Sequence, residues 1–318
     1  MSETEYRSPL LVVLGPTGAG KSGLGLALAE RFDGEIVNCD SVQVYRGLDI
    51  GSAKVPPASR RGVPHHLIDI ADPQEDVTAG AYSRLARQAL HAIRNKGRIP
   101  VVVGGTGLYL RALLDGLSPA PQRNQELRAR LQGMVGRHPE SLRRFLKRYD
   151  PHAAVRIHAN DHQKLIRAVE LTLLGGQPAT AIQSIPRTPL NGFRVLKIGL
   201  SPERQALYRH IEARAAGMFE EGLVDEARTL LNAGVPPHAK ALQSLGYRQA
   251  VNVLLGTMTV KEAVADCQTK TRQYAKRQLT WFRREADVHW LDGFGNEEAV
   301  ESAAAELTGS FIAHRETR

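Results

Sequence analysis

The chain has 318 residues, 42% of them apolar, with a net charge of +9 and a pI near 9.7. This is a soluble globular composition, and no apolar run approaches the ~18 residues of a membrane span. Two distant cysteines, Cys39 and Cys267, exclude a disulfide scaffold, and no Cys/His spacing suggests zinc.

The first predicted element is the run Leu10-Leu11-Val12-Val13-Leu14, whose unbroken apolar character predicts a buried parallel strand. Gly15-Pro16-Thr17-Gly18-Ala19-Gly20-Lys21-Ser22 follows, and a helix is predicted over about 20–32. Strand, glycine loop and helix together make a phosphate loop. Its backbone N–H groups and the helix N-terminus would cradle a polyphosphate. Lys21 would reach a terminal phosphate and the Ser22 hydroxyl would hold Mg²⁺. Gly18-Ala19-Gly20-Lys21-Ser22-Gly23 also reads as a dinucleotide fingerprint, with Asp40 ending the next apolar run. That fold puts its first glycine directly after the strand. Here Gly15 holds that place and starts the phosphate-loop spacing, with Lys21-Ser22 at the matching positions.

Residues 35–39 predict a second strand, with Asp40-Ser41 at its carboxyl end, where open α/β sheets bind ligands. Asp40 is read as a general base or metal ligand, against the alternative of a turn cap. A polar segment, 43–54, leads to Pro56-Pro57 and then to His65-His66-Leu67-Ile68-Asp69-Ile70. Adjacent strand residues point to opposite faces, so His65 and His66 are expected to be hydrogen-bonded structural residues rather than ligands of one metal. A helix over about 79–95 precedes the strand 100–103, which ends in Gly104-Gly105-Thr106-Gly107 with no acid. A hydrolytic phosphate-loop enzyme keeps a Mg²⁺-holding Asp there, so ATP hydrolysis is poorly supported. The glycines are read as allowing close backbone approach to a ligand. Thr106 is left between a ligand contact and a helix cap.

Pro119-Ala120-Pro121 marks a change of composition, and from Arg123 to about Leu174 the pattern is helical. A strand returns at 193–200. Helices follow to about 233 and through 247–255, then a long basic helix at about 260–285, a strand at 288–291 and a helix at about 296–308. The predicted architecture is α/β: a phosphate-loop NTPase-like parallel sheet flanked by helices, with an inserted all-helical domain. Its core is 1–117 with 188–318, and its insert is 118–187. Arg and Lys crowd 123–167 and 270–284, which points to a polyanion such as nucleic acid. On the long helix Lys270, Arg277 and Arg284 share one face and Arg272, Lys276 and Arg283 another. Trp281 and Phe282 are expected in the core.

The motifs resemble the tRNA dimethylallyltransferase family over nearly the whole chain. They are residues 15–22, Asp40 through Arg46, Asp49 through Lys54, Pro64 through Asp69, Gly104 through Tyr109, Ile157 through Asp161, Gly246-Tyr247, and Thr271 through Arg283. Departures are mild: Leu48, Ser52, Val55 and Ala159 stand where the family usually has Met, Thr, Pro and Pro. The resemblance implies that the loop holds the diphosphate of dimethylallyl diphosphate rather than ATP. It implies that Asp40 is the base toward a flipped-out adenine next to the anticodon. Thr17 and Arg214 would complete the diphosphate clamp, with Mg²⁺ on Ser22. Implied tRNA contacts are Asp40-Ser41-Val42-Gln43, Thr106, Arg128, Lys164-Leu165-Ile166-Arg167-Ala168, Lys240, Gly246-Tyr247-Arg248, Lys276, Arg277 and Arg283. The insert would grip the anticodon stem. The competing readings are a phosphate-loop kinase with ATP in the loop and an RNA-binding ATPase. The N-terminus shows no signal-peptide core, so the cytosol is the expected compartment, and a monomer the expected state.

Overall fold

A computed structural model describes residues 7–138 and 140–314. In chain order the first half of the core comprises β1 (Ser8–Leu14), α1 (Lys21–Arg31), β2 (Gly34–Asn38), β3 (His65–His66), α2 (Ala79–Asn95), β4 (Ile99–Val103) and α3 (Gly107–Leu114). Five helices follow: α4 (Gln125–Arg137), α5 (Ser141–Tyr149), α6 (Pro151–Arg156), α7 (His162–Gly175) and α8 (Ala179–Ser184). The core resumes with β5 (Phe193–Leu200), α9 (Arg204–Glu220), α10 (Leu223–Asn232), α11 (Tyr247–Leu254), α12 (Val260–Phe282), β6 (Val288–Leu291) and α13 (Glu298–Ala313).

The strands pair in parallel in the order β3-β2-β4-β1-β5-β6. β1 is central, which explains its continuous apolar run: both of its faces are covered. Leu11 and Val13 pack with Leu24 and Leu28 of α1 and Val300 and Ala304 of α13. Leu10, Val12 and Leu14 face the opposite core, with Tyr82, Leu90, Tyr109, Phe219 and Phe282. The alternation follows from the two-residue period of a strand. Parallel pairing puts all six carboxyl ends on one edge, and the turns after β1, β2 and β4 meet there.

The chain divides into two compact units, Met1–Leu114 with Leu190–Arg318, and Asp115–Pro189. The second begins and ends slightly outside the expected 118–187. Leu190 N donates to Leu114 O at 2.7 Å, which closes the first unit at that pair. The helical unit has its own core of Leu131, Leu142, Leu146, Leu165, Ile166 and Val169. Within it Glu170, fully buried, accepts from Arg128 Nη1 at 3.1 Å, Arg167 Nη1 at 2.6 Å and Asn124 N at 2.9 Å. These donors satisfy a carboxylate that is buried away from water.

α12 opens on a capping box: Thr259 N donates to Glu262 Oε2 at 2.8 Å and Glu262 N to Thr259 Oγ1 at 3.3 Å. That satisfies two of the unpaired N–H groups at its start. It runs 23 residues, ending three short of the expected 285.

Candidate active site

The turn after β1 has the form of an anion cradle. Gly20 caps α1 with φ +83°, a left-handed conformation that a side chain would strain. No side chain caps the first N–H groups of α1, which follow at the sheet edge. Gly23 lies inside α1 with open space where its Cβ would stand, so it serves no close helix–strand approach of the kind the third glycine of a dinucleotide fingerprint provides. Lys21 Nζ donates to Pro16 O at 2.7 Å, folding the lysine back over the loop. Burial pulls its pKa down to about 8, opposed by Asp40 and reinforced by Arg214.

Asp40 is fixed from both sides. Its backbone N donates to Asn38 Oδ1 at 3.1 Å, while its Oδ1 accepts from Val42 N at 2.8 Å and Gln43 N at 3.3 Å. The turn-cap and base readings are therefore compatible, because both bonds use Oδ1 and leave Oδ2 for chemistry. Arg214, on α9, donates from Nη2 to Thr17 Oγ1 at 2.7 Å. Burial lowers its pKa, and the facing Asp40 opposes that shift. A carboxylate, an arginine, a lysine and a hydroxyl thus converge on one point.

Two cavities meet there. One, of about 270 Å³, runs over the phosphate loop, with Gly18, Lys21, Ser22, Asn38, His65 and His210 on its walls. The other, of about 290 Å³, lies on the α12 side, with Met218, Ser244, Cys267, Thr271, Tyr274 and Arg277. Thr17, Asp40, Ser52 and Arg214 line both. An anion in the first cavity and a planar group in the second would have Asp40 and the Thr17–Arg214 pair at their junction.

Segment 49–54 forms the wall at Ser52. Asp49 N, Ile50 N and Gly51 N all donate to the Glu226 carboxylate, at 3.1, 2.9 and 3.4 Å. Lys54, buried, reaches Asp49 Oδ1 at 2.5 Å, Asp69 Oδ1 at 2.6 Å and Tyr45 O at 2.9 Å. Gln43 Nε2 donates to Ser52 O at 3.1 Å and Ala53 O at 3.3 Å, so Gln43 braces the wall.

Several sequence expectations change. The glycines of 104–107 are packed closely against protein, and of them Gly104 also lines the first cavity. A Cβ on Gly104 would overlap the Cys39 carbonyl, on Gly105 the Gln278 amide, and on Gly107 the Trp281 indole. Thr106 Oγ1 accepts from Ser41 N at 3.1 Å, bracing the turn that carries Asp40. Tyr247 is fully buried, with its hydroxyl on Glu226 and accepting from Gly51 N at 3.2 Å. Its side chain presents nothing to a tRNA. Gly246 N donates to the Gln249 side chain at 3.0 Å. Leu165, Ile166 and Ala168 are core residues of the helical unit, which removes their side chains as contacts. Arg128 and Arg167 are engaged by Glu170, and Lys240 by Asp76. Lys164, though paired with Asp161, remains exposed, as do Lys276, Arg277 and Arg283; Arg248 is half-exposed, and Ser41 and Val42 line the second cavity. Phe282 is core as expected, and Arg111 lies over the Trp281 ring at 4.4 Å. His65 Nδ1 lies 2.8 Å from Val63 O and His66 Nε2 2.6 Å from Glu35 Oε2, so the two rings diverge.

His210 and Met218 line the site without having been singled out from sequence, and Ser244 falls within the 240–248 stretch. Neither His210 nor Met218 belongs to a chemical motif, and only tertiary packing brings them to the sheet edge. The donors for a cation are hard: the Ser22 hydroxyl and the Asp40 carboxylate share the first cavity. That set fits Mg²⁺, which takes one or two protein oxygens and completes its shell with phosphate oxygens and water.

Sheet, cradle and clamp define the class: an α/β phosphate-loop protein with a separate helical unit. The IPP transferase model matches residues 43–285, and the chain belongs to that family. A tRNA dimethylallyltransferase of Koribacter versatilis is 54% identical over 94% of this chain and 97% of its own length. One from Solibacter usitatus is 50% identical over 96% and 99%. Among solved structures, a tRNA isopentenylpyrophosphate transferase from Bacillus halodurans aligns with a TM-score of 0.70 at 37% identity, covering 96% of each chain. A eukaryotic dimethylallyltransferase acting on tRNA aligns with a TM-score of 0.81 at 26% identity, covering 98% of this chain and 81% of its own.

Proposed function

We propose that this protein transfers a dimethylallyl group from dimethylallyl diphosphate to the exocyclic N6 amine of the adenosine 3′-adjacent to the anticodon of tRNA. The observation that carries the reading is the junction of two cavities at Asp40, Thr17 and Arg214. The diphosphate occupies the loop cavity, held by the N–H groups at the start of α1 and by Lys21. The adenine, flipped from its stack, enters the cavity beside α12, walled by Met218 and Tyr274. The N6 lone pair attacks the allylic C1, the C1–O bond breaks, and the proton on nitrogen passes to Asp40 Oδ2. Thr17 and Arg214 stabilise the charge that develops on the leaving oxygen, and pyrophosphate departs into the cradle. Mg²⁺ on Ser22 would neutralise diphosphate charge.

Exposed Lys276, Arg277 and Arg283 of the core, and Arg144, Lys147, Arg148 and Lys164 of the helical unit, supply cations for tRNA phosphates. The absence of an acid after β4 supports this reading over ATP hydrolysis. Among the described residues no helix is long and apolar enough to cross a membrane. We assign the protein to the cytosol as a monomer.

The test is single-turnover transfer of a labelled five-carbon unit from its diphosphate to unmodified tRNA. Transfer to the adenosine beside the anticodon is expected. ATP turnover without transfer would replace this reading with a kinase or ATPase.

A further inference from the structure

Gln278 is a buried amide on α12 that reaches both turns beneath the reacting groups. Its Oε1 accepts from Thr17 N at 2.8 Å, and its Nε2 donates to Gly105 O at 2.8 Å. The partners fix the orientation of the amide, because an N–H faces oxygen and a carbonyl faces nitrogen. Gln278 therefore spans the turns that follow β1 and β4, neighbouring strands in the sheet. The bridge fits only because residue 105 has no Cβ, which would overlap Nε2.

Two consequences follow. The N–H of Thr17 is engaged by α12 rather than by the anion, which sets the rotation of residue 17. The hydroxyl of that same residue receives Arg214 Nη2. Gln278 thus lies one bond behind the clamp. The same helix puts Thr271, Tyr274 and Arg277 on the second cavity, and Trp281 against Gly107. A single rigid element joins the acceptor wall to the phosphate loop.

We propose that Gln278 is a positioning residue: it holds Thr17 Oγ1 and Arg214 in register with the leaving diphosphate and ties that register to the helix lining the acceptor cavity. This rests on the transfer reading given above. Gln278 touches neither substrate; it acts through Thr17.

The test is a double-mutant cycle on single-turnover transfer, using wild type, Thr17→Ala, Gln278→Leu and the double variant. Gln278→Leu is expected to slow transfer about 10- to 100-fold, as small misplacements of catalytic groups do. Its affinity for dimethylallyl diphosphate without tRNA should change by less than about threefold, a split between binding and rate that loss of packing would not give. In the Thr17→Ala background the same change should cost less than about threefold, because the group it positions is gone. Equal costs in both backgrounds, or unslowed transfer by Gln278→Leu, would overturn the proposal. Gln278→Met, unbranched and similar in volume, repeats the cycle should the leucine variant unfold. Unfolding of both would assign the amide to the fold alone and overturn it equally. Absence of transfer by the wild type would instead sink the transfer reading; transfer with an additive cycle removes only the role of Gln278.

Discussion

Asp40 and Lys21 carry opposite demands in one small volume. In the proposed transfer Asp40 takes a proton from the attacking amine, so Asp40→Asn should slow transfer by at least ~10²-fold. Both substrates should still bind, read by calorimetry and by filter retention of tRNA, because the Oδ1 acceptor that orders the 41–43 turn survives in asparagine. Unchanged transfer would remove Asp40 as base. Lys21 gives a pH dependence with a definite sign. Burial leaves its ammonium with a pKa of about 8 in the free site. A bound diphosphate favours the charged form and raises that pKa, so binding takes up a proton. Affinity for dimethylallyl diphosphate should therefore be full below pH 8 and fall as pH rises above it. Calorimetry across pH 7 to 9.5 without tRNA reads the effect; a flat affinity would contradict it. Cys39, adjacent to Asp40, does not compete in this range, since burial raises its thiol to about 12.

α12 has three tasks that its sequence superimposes within a few turns. Gln278 and Trp281 pack inward on the 104–107 turn, Thr271 and Tyr274 line a cavity, and Lys276 and Arg283 face solvent. The inner face demands glycine opposite it. Gly107→Ala would drive a methyl into the Trp281 indole at the first residue of α3 and should destabilise the protein by about 1–3 kcal/mol. Chemical denaturation measures this, and an unchanged midpoint would show that the indole can move aside. The turn 104–107 thus reads as a packing joint between β4 and α12. A glycine run after a strand signals close approach, but sequence does not state what approaches. Loop 49–54 has the same character, being shaped by Glu226 from α10 and by Lys54 from within.

Over the whole molecule the excess of positive charge is split between two units, each with its own core. Binding of tRNA should weaken steeply with salt, because each neutralised phosphate releases counterions. Replacing Arg144, Lys147 and Arg148 of α5 together with alanine should reduce the slope of log affinity against log salt by about 2. It should leave affinity for dimethylallyl diphosphate unchanged. Filter binding between 50 and 300 mM salt measures the slope, and an unaltered slope would exclude α5 from the RNA-facing surface. Arg128 and Arg167 are excluded from this set by Glu170, whose burial makes them structural counter-charges.

Much of this molecule is legible in order along the chain. β1, the phosphate loop, Asp40 at the end of β2 and the interruption by a helical unit are all written locally, because spacing along a strand, turn and helix fixes geometry within about ten residues. The partners brought from far away are not. That Arg214 meets Thr17, that Gln278 holds Thr17 and Gly105, and that Tyr247 turns inward to Glu226 depend on how α9, α11 and α12 rotate on the sheet. An amphipathic helix specifies a buried stripe but not which neighbour that stripe meets. Sequence thus determined a phosphate cradle with a carboxylate across from it. The tertiary structure decided that the carboxylate stands where two cavities join, and which distant side chains hold it in place there.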